Sequence, residues 1–574
     1  MEAKRLARLQ RAVEWSWDQM AQFRKQRLIL LREIAGTRYG KQPTPDKRPI
    51  PLLKMTMRTL CRLAAARAPG ASVTARRREW AAPAHELGLA LDQTVKNMHL
   101  ETEMRAAVFE ALIFQGMMKF GREAITAEIE VEGQPYRRFR SFIRNVSFED
   151  QVVDMSARSW DAMDFVGNRY LADLDEVRED KTLNKEARDK LGAMDDAERD
   201  SKGNRRATRL GQEQGRPETF REYGEFVDVY LPKDKTIVSM HFRDNQTFLM
   251  REDEYEGDER GPYRRLSLAD LPDNLIPAPQ ILDLYEIHDA LNRLFVKAIR
   301  QAENQKRVNL VQRGYARDAK AALMDTREDS TVTVENPSFV NQLVVGGADP
   351  RTIAMVMELK ELGAWVGGNL EALAGLGPLS ETLGQDRMIR ASAAALPQEI
   401  QAATEGLAQE IMEHLARELL ADEMNEVPII KRLAGTRYSL PALWTPKKLE
   451  GKILDYDIRV TPCSMQVQTP MQRLQALGSL WQGFIAGSLP LMMQEGVRIK
   501  WQRLLEILSR DSHLEELDQI LEYGQPMQPV GTGGGGGGGA GKPAGQYTHE
   551  HIGQQGPQME RARMMRSLLT QVAG

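Results

Sequence analysis

Residues 277–308 read PAPQILDLYEIHDALNRLFVKAIRQAENQKRV, and the chain is organised outward from them. Pro277 and Pro279 fix an extended lead-in and suit the first turn of a helix. Leu284, His288, Leu291, Phe295, Ala298 and Ala302 then recur at spacings of four and three, laying one largely apolar seam along a rod. Asp283, Glu286 and Asp289 come early and Lys297, Arg300, Lys306 and Arg307 late, the order that complements a helix dipole. Such a rod needs helical neighbours.

A second helix opens with Asp349 as N-cap and Pro350 at the first helical position. It runs through Ile353, Met357, Leu359, Leu362 and Trp365 towards Leu373. The intervening residues, 309–348, predict a small αβ insert with a helix near Ala316–Met324 and a strand at Thr331–Glu335. Past the second rod, Gly375, Gly377, Pro378 and Gly384 bracket a loop. A third helix follows over 385–424, with Pro397 in its interior predicted to kink it.

Upstream, residues 4–34 predict one helix with Leu6, Leu9, Val13, Trp17 and Met20 on a shared face and many bases elsewhere. Thr37–Pro51 is a proline-rich connector. Helices are expected over 52–67 and 85–119, a strand over Ala124–Glu132, a β-rich patch over Ser141–Met155 and a helix over Arg158–Arg178. Residues 186–217 are charged and poor in apolar side chains, which predicts an exposed excursion. Strands resume at Phe226–Leu231 and Lys235–Phe242. The acidic run Glu252, Asp253, Glu254, Glu256, Asp258 and Glu259 lacks the ordered spacing of a calcium loop and reads as a solvated hairpin tip. The fold class is therefore α+β, mainly helical.

The 574 residues are 42% hydrophobic, enough for substantial cores, with a net charge of −3 that argues against a nucleic-acid-coating surface. Two cysteines, Cys61 and Cys463, give neither a disulfide framework nor a metal quartet. No run is long and apolar enough for a membrane span or a signal core, so use without membrane insertion is expected.

Four stretches, in order, resemble the portal, or head-tail connector, proteins of tailed bacteriophages, most of all those of short-tailed phages. They are FEDQVVDMSARSWDAMDFVGNRYLADLDEVRED at 148–180, VDVYLP at 227–232, NLIPAPQILDLYEIHDALNRLFVKAIRQAENQKRV at 274–308, and YDIRVTPCSMQVQTPMQRLQALGSL at 456–480. The first resembles the portal segment in which an Asp-bearing strand leads to a Phe-Val-Gly turn and helix. Asn292 and Gln301-Ala302 belong to the likeness of the third, the start of the portal stem. Together the four sample most of residues 100–510.

The resemblance implies a subunit with wing, stem, clip and crown regions that assembles as a ring, usually a dodecamer, around a channel for double-stranded DNA. Residues 1–276 would be wing, 277–308 and 349–374 the stem helices and 309–348 the clip. Residues 375–384 would be a tunnel loop, 385–424 the long kinked helix, 425–525 the wing return and crown, and 526–574 a Gly-rich tail. In the loop Leu376, Leu379 and Leu383 would press on the duplex, with Ser380 and Thr382 offering transient polar contacts. Glu381 would repel phosphates if it faced inward, and Gly375, Gly377, Pro378 and Gly384 frame the excursion. Lys306, Arg307 and Arg313 are candidates for channel contacts, or for positions between subunits or in solvent. Sparse bases suit a conduit, because a densely basic wall would hold a polyanion through counterion release.

The resemblance also implies partners: terminase at the clip, then head-tail adaptor proteins, with the major capsid protein and a scaffold around the wing. The setting would be the portal vertex of the virion, reached through the host cytoplasm during assembly. The alternative is a helical structural adaptor that oligomerises without conducting DNA.

No catalytic constellation, metal set or cofactor motif is evident, and the eight histidines are scattered. Gly533–Gly539 with Gly541 and Lys542 mimics the start of a phosphate loop. Pro543 stands where the magnesium-binding hydroxyl belongs, which leaves a flexible linker as the reading and a nucleotide-driven enzyme as a third class. His549 and His551 flank Glu550 without a ligand geometry around them. Helices are expected near 471–484, 500–508 and 558–572.

Overall fold

The computed structural model describes residues 2–35, 50–131, 134–191, 221–243, 246–311, 340–345, 347–367, 395–422, 425–432, 439–449, 451–461 and 464–465. Helices and antiparallel sheets are mixed, as α+β requires. Helices α1 (Ala3–Gln19) and α2 (Ala21–Ala35) divide the expected 4–34 helix at Met20, which is fully buried. After α3 (Leu52–Ala64) and β1 (Ala71–Ala75), the expected 85–119 helix becomes α4 (Ala81–Asn97) and α5 (Leu100–Ile113), parted where His99 takes φ 51°. Its last residues are extended instead. There β2 (Gly116–Val131) begins, so close to α5 that a Cβ on Gly116 would lie 2.3 Å from the Ala107 carbonyl oxygen.

One sheet has the order β3-β2-β9, from β3 (Gln134–Val146) to β9 (Tyr263–Leu266). The other has the order β4-β5-β6-β7-β8 and is antiparallel throughout. Its strands are β4 (Gln151–Val153), β5 (Val166–Asp173), β6 (Tyr223–Leu231), β7 (Thr236–Arg243) and β8 (Gln246–Glu254). The helix expected over Arg158–Arg178 is corrected: its middle, Val166–Asp173, is β5, residues 158–165 are turns with one 3-10 turn at Trp160–Ala162, and only α6 (Leu174–Glu179) is α-helical. Pairing with β6 overrides the local pattern, and Gly167 permits it. A Cβ there would sit 2.1 Å from the Asp228 carbonyl oxygen. A short helix, α7 (Lys185–Asp189), occupies the start of the expected excursion.

Alternation along β6 divides its side chains between two layers. Val227, Val229 and Leu231 join Val238 and Met240 beneath Leu9 and Val13 of α1, while Phe226 and Tyr230 fill the opposite side. Asp228 lies on that second side and stitches the two sheets together. It accepts from Lys119 Nζ at 2.6 Å and from Ser239 Oγ at 2.7 Å.

The rods follow as α8 (Leu282–Glu303) and α9 (Pro350–Val366), joined at their far ends by the antiparallel ribbon of β10 (Lys306–Val311) and β11 (Val340–Val345). The long helix α10 (Ala395–Ala421) crosses the main core, burying Ile400, Leu407, Ile411, Met412 and Leu415. Pro397 stands in the first turn of its described span, so the expected kink falls against residues outside the described set. Beyond α10, β12 (Val427–Arg432) and β13 (Ser439–Trp444) form a hairpin. The last strand, β14 (Tyr456–Val460), pairs with β1 from Ala71↔Val460 to Ala75↔Tyr456, returning the late chain to the N-terminal body. Residues 36–49, most of the insert, the 375–384 loop, 385–394 and the C-terminal segments from 466 onward, including the glycine run, lie outside the described residues.

Candidate assembly face on the helical stem

Sequence dictates how the two rods meet. Asp349 caps α9 as expected, its Oδ1 accepting from Arg351 N at 3.1 Å, with Pro350 at the first helical position. Gln301 Oε1 accepts from Asp349 N at 3.3 Å, which ties the start of α9 to the end of α8. At the other end Gly363 lets the helices close up. A Cβ there would lie 2.8 Å from Leu52 Cδ2 and 3.4 Å from Ile287 Cγ2. The rods are therefore antiparallel, with their connected end away from this packing.

The base of α8 is fixed to the body by polar groups. Asn292 Oδ1 accepts from Ile50 N at 3.0 Å and its Nδ2 donates to Ile50 O at 3.2 Å, while His288 Nε2 lies 3.0 Å from Glu33 Oε1. Burial fades along the helix. Of the expected seam, Leu284, His288 and Leu291 are buried, Phe295 and Ala298 half-buried and Ala302 exposed.

On α9 only part of the apolar pattern is buried: Val356 is buried, Leu359 is half-buried and Val366 packs on the main core. Thr352, Val356 and Gly363 are buried as one stripe, whereas Ile353, Met355, Met357, Leu362 and Trp365 are 44–78% exposed. At about 100° per residue, Ile353 and Met357 fall to one side of the stripe and Met355 and Leu362 to the other. Trp365 faces away from it. The result is two unlike apolar flanks on one helix. The sequence pattern names Ile353, Met357, Leu362 and Trp365 but not Met355, and helical periodicity alone does not say which of its apolar positions are buried.

No protein-family model matches the chain, and no curated protein matches its sequence.

Charge is graded along the stem. Asp283, Glu286 and Asp289 lie towards the body, and Arg293, Lys297 and Arg300 towards the connected end, where Arg351 opens α9. Lys306 and Arg307 lie in β10, opposite Val345 and Val344, so the ribbon brings both to the root of the insert. Arg313 and the whole loop Gly375–Gly384 lie outside the described residues. The structure thus brings two of the three expected channel bases together and does not bear on the loop.

The acidic run is corrected in part. Asp258 is an anchor between the β8–β9 connection and α10, bound by Arg264 Nη2 at 2.8 Å and Arg417 Nη1 at 2.7 Å. Arg264 also reaches Glu410 at 3.1 Å. Burial alone would raise the Asp258 carboxyl, but Arg264 and Arg417 more than offset it and hold it below the usual carboxylate range. No sequence signal marks Asp258 apart from its acidic neighbours.

Among the described residues, no three His, Cys, Asp or Glu side chains converge as metal ligands do, and no helix is long and apolar enough to cross a membrane.

Proposed function

We propose that this chain is the subunit of a portal-like ring whose stems surround a channel for duplex DNA. The observation that carries the reading is the pair of unlike apolar flanks on α9, Ile353 with Met357 and Met355 with Leu362. A single self-complementary patch makes a two-fold dimer. Two different patches on opposite sides of one rod make a head-to-tail contact, which closes into a ring when the rotation allows. Rods packed this way stand side by side around an axis, and their connected ends bring Arg300, Lys306, Arg307 and Arg351 to one level of every subunit. Such a ring is a passive conduit: a sparse basic level touches phosphates transiently without holding them. A separate terminase motor would drive packaging, with adaptor and capsid proteins as the further partners at a virion vertex.

Electron microscopy of the purified full chain tests this directly. The expected result is a closed ring with a hole of about 20 Å or more, wide enough for duplex DNA. A closed oligomer without a hole would replace it with the structural adaptor.

A further inference from the structure

Two oppositely charged surfaces outside the stem are placed on either side of α10. The first is built where β1 ends and β14 begins. Arg76 N donates to Asp455 O at 3.0 Å, Trp80 stacks on Tyr456 with ring centroids 6.1 Å apart, and Arg77 lies over the Trp80 ring at 4.7 Å. Gly451, at φ +88°, lies directly against the Trp80 edge, where a Cβ would come within 2.8 Å of the ring. Arg76, Arg77 and Arg78 from one segment and Lys452 from the other are thereby exposed together, with Glu79 and Asp455 as the nearby acids. Arg459 adds a base paired with Asp457 at 2.8 Å. Positive charge predominates.

The second surface is the β8–β9 connection. Glu254, Glu256 and Glu259 are exposed there, while its bases Arg251 and Arg260 are paired with Asp253 and Glu410. Asp258 and Arg264 bolt the connection to Glu410 and Arg417, so its acids are presented on a fixed support.

The outer strip of α10 separates the two. Ala402, Gly406 and Glu413 form that strip, and a Cβ on Gly406 would meet nothing within 4 Å. Gln409 holds β14 on one border, its Oε1 accepting from Val460 N at 2.9 Å, and Glu410 with Arg417 holds the acidic connection on the other. β14, which carries the basic surface at its start, and the acidic connection are therefore held along different borders of α10.

We infer that the basic surface of one subunit docks the acidic β8–β9 connection of a second copy of this chain. The inference rests on the ring reading and adds to it the contact that sets neighbour orientation in the body. Complementary charge steers encounter and fixes register, and like charge opposed across a contact rejects the wrong pairing. A near-neutral chain with segregated surfaces suits such self-recognition.

Charge reversal on the full chain tests it by sedimentation velocity and native mass spectrometry. One variant carries Arg76→Glu and Arg78→Glu; another carries Glu254→Lys and Glu259→Lys. All six named side chains, Arg77 and Lys452 included, are exposed, and circular dichroism checks that each variant folds. Each variant alone is expected to assemble at least about tenfold more weakly than the unmodified chain. The variant carrying all four changes, and an equimolar mixture of the two, should regain assembly, because every interface again joins opposite charges. Variants that assemble like the unmodified chain would overturn the docking contact and leave the ring standing. Failure of both the four-change variant and the mixture to recover would also overturn it. An unmodified chain that never oligomerises would remove the ring itself.

Discussion

Arg27 on α2 and Glu110 on α5 form a two-pronged ion pair in which each side chain is only 7% exposed, with Arg27 Nε 2.7 Å from Glu110 Oε2. Ser147 Oγ accepts from the same guanidinium at 3.1 Å. Removing Glu110 leaves the buried Arg27 with the longer 4.0 Å contact to Glu149 in place of a two-pronged pair, and such a loss costs more than the pair contributes. Glu110→Ala is expected to lower the unfolding free energy by about 3–5 kcal/mol, whereas Arg27→Met with Glu110→Leu recovers most of it. Guanidinium unfolding measures both. A loss below about 1 kcal/mol in the single variant would show that water reaches the pair.

His414 stacks on Phe120 with ring centroids 4.3 Å apart. Burial pushes its imidazole down to about 4, with Arg264 and Arg122 acting in the same direction and Glu418 and Asp258 against it. The folded value lies below the ordinary 6.5, so between about pH 6.5 and pH 4 the unfolded chain takes up a proton that the folded chain refuses. Stability is then unaffected above this window and falls as pH falls through it, by up to about 3 kcal/mol. Comparing unfolding free energies from pH 7 to pH 4 in the parent and in His414→Gln checks this. An unchanged slope would assign the acid sensitivity to other groups.

What could be read from the sequence depended on whether the determinant was local. Asp349 and Pro350 start α9 where expected, and the four-three spacing finds α8, because caps and periodicity act within a few residues. Strand β5 was hidden because its partner is distant. Gly167 faces Val229 across the ladder, and nothing in residues 158–178 alone announces β6. The anchoring role of Asp258 was hidden for the same reason, since Arg417 lies far along the chain. Gly167→Ala tests that account: forcing a methyl against the Asp228 carbonyl should cost about 3 kcal/mol in thermal or denaturant unfolding. A near-neutral effect would mean that β5 and β6 can part locally.

Cys61 is buried in α3, and burial pushes its thiol up to about 12, with Arg105 opposing. Thiolate is the reactive form, so the folded protein should protect it. In a Cys463→Ser variant, the remaining thiol is expected to react with an aromatic disulfide at pH 8 at least about a hundredfold more slowly than in denaturant. Comparable rates in both states would show that α3 opens readily.

The stem makes the sharpest prediction, because head-to-tail contacts behave differently from two-fold ones when each side is disabled separately. Ile353→Glu with Met357→Glu removes one flank of α9, and Met355→Glu with Leu362→Glu removes the other; all four positions are exposed, so folding should be spared. Either variant alone retains one working flank that has no intact counterpart, and should remain monomeric by sedimentation. Mixed together, they can form a single good contact, the intact flank of one against the intact flank of the other. That pair cannot propagate, because its outer flanks are the disabled ones. The mixture is therefore expected to yield heterodimers and no rings. If each variant instead forms a homodimer by itself, the two flanks are separate self-complementary patches and the stems do not surround an axis.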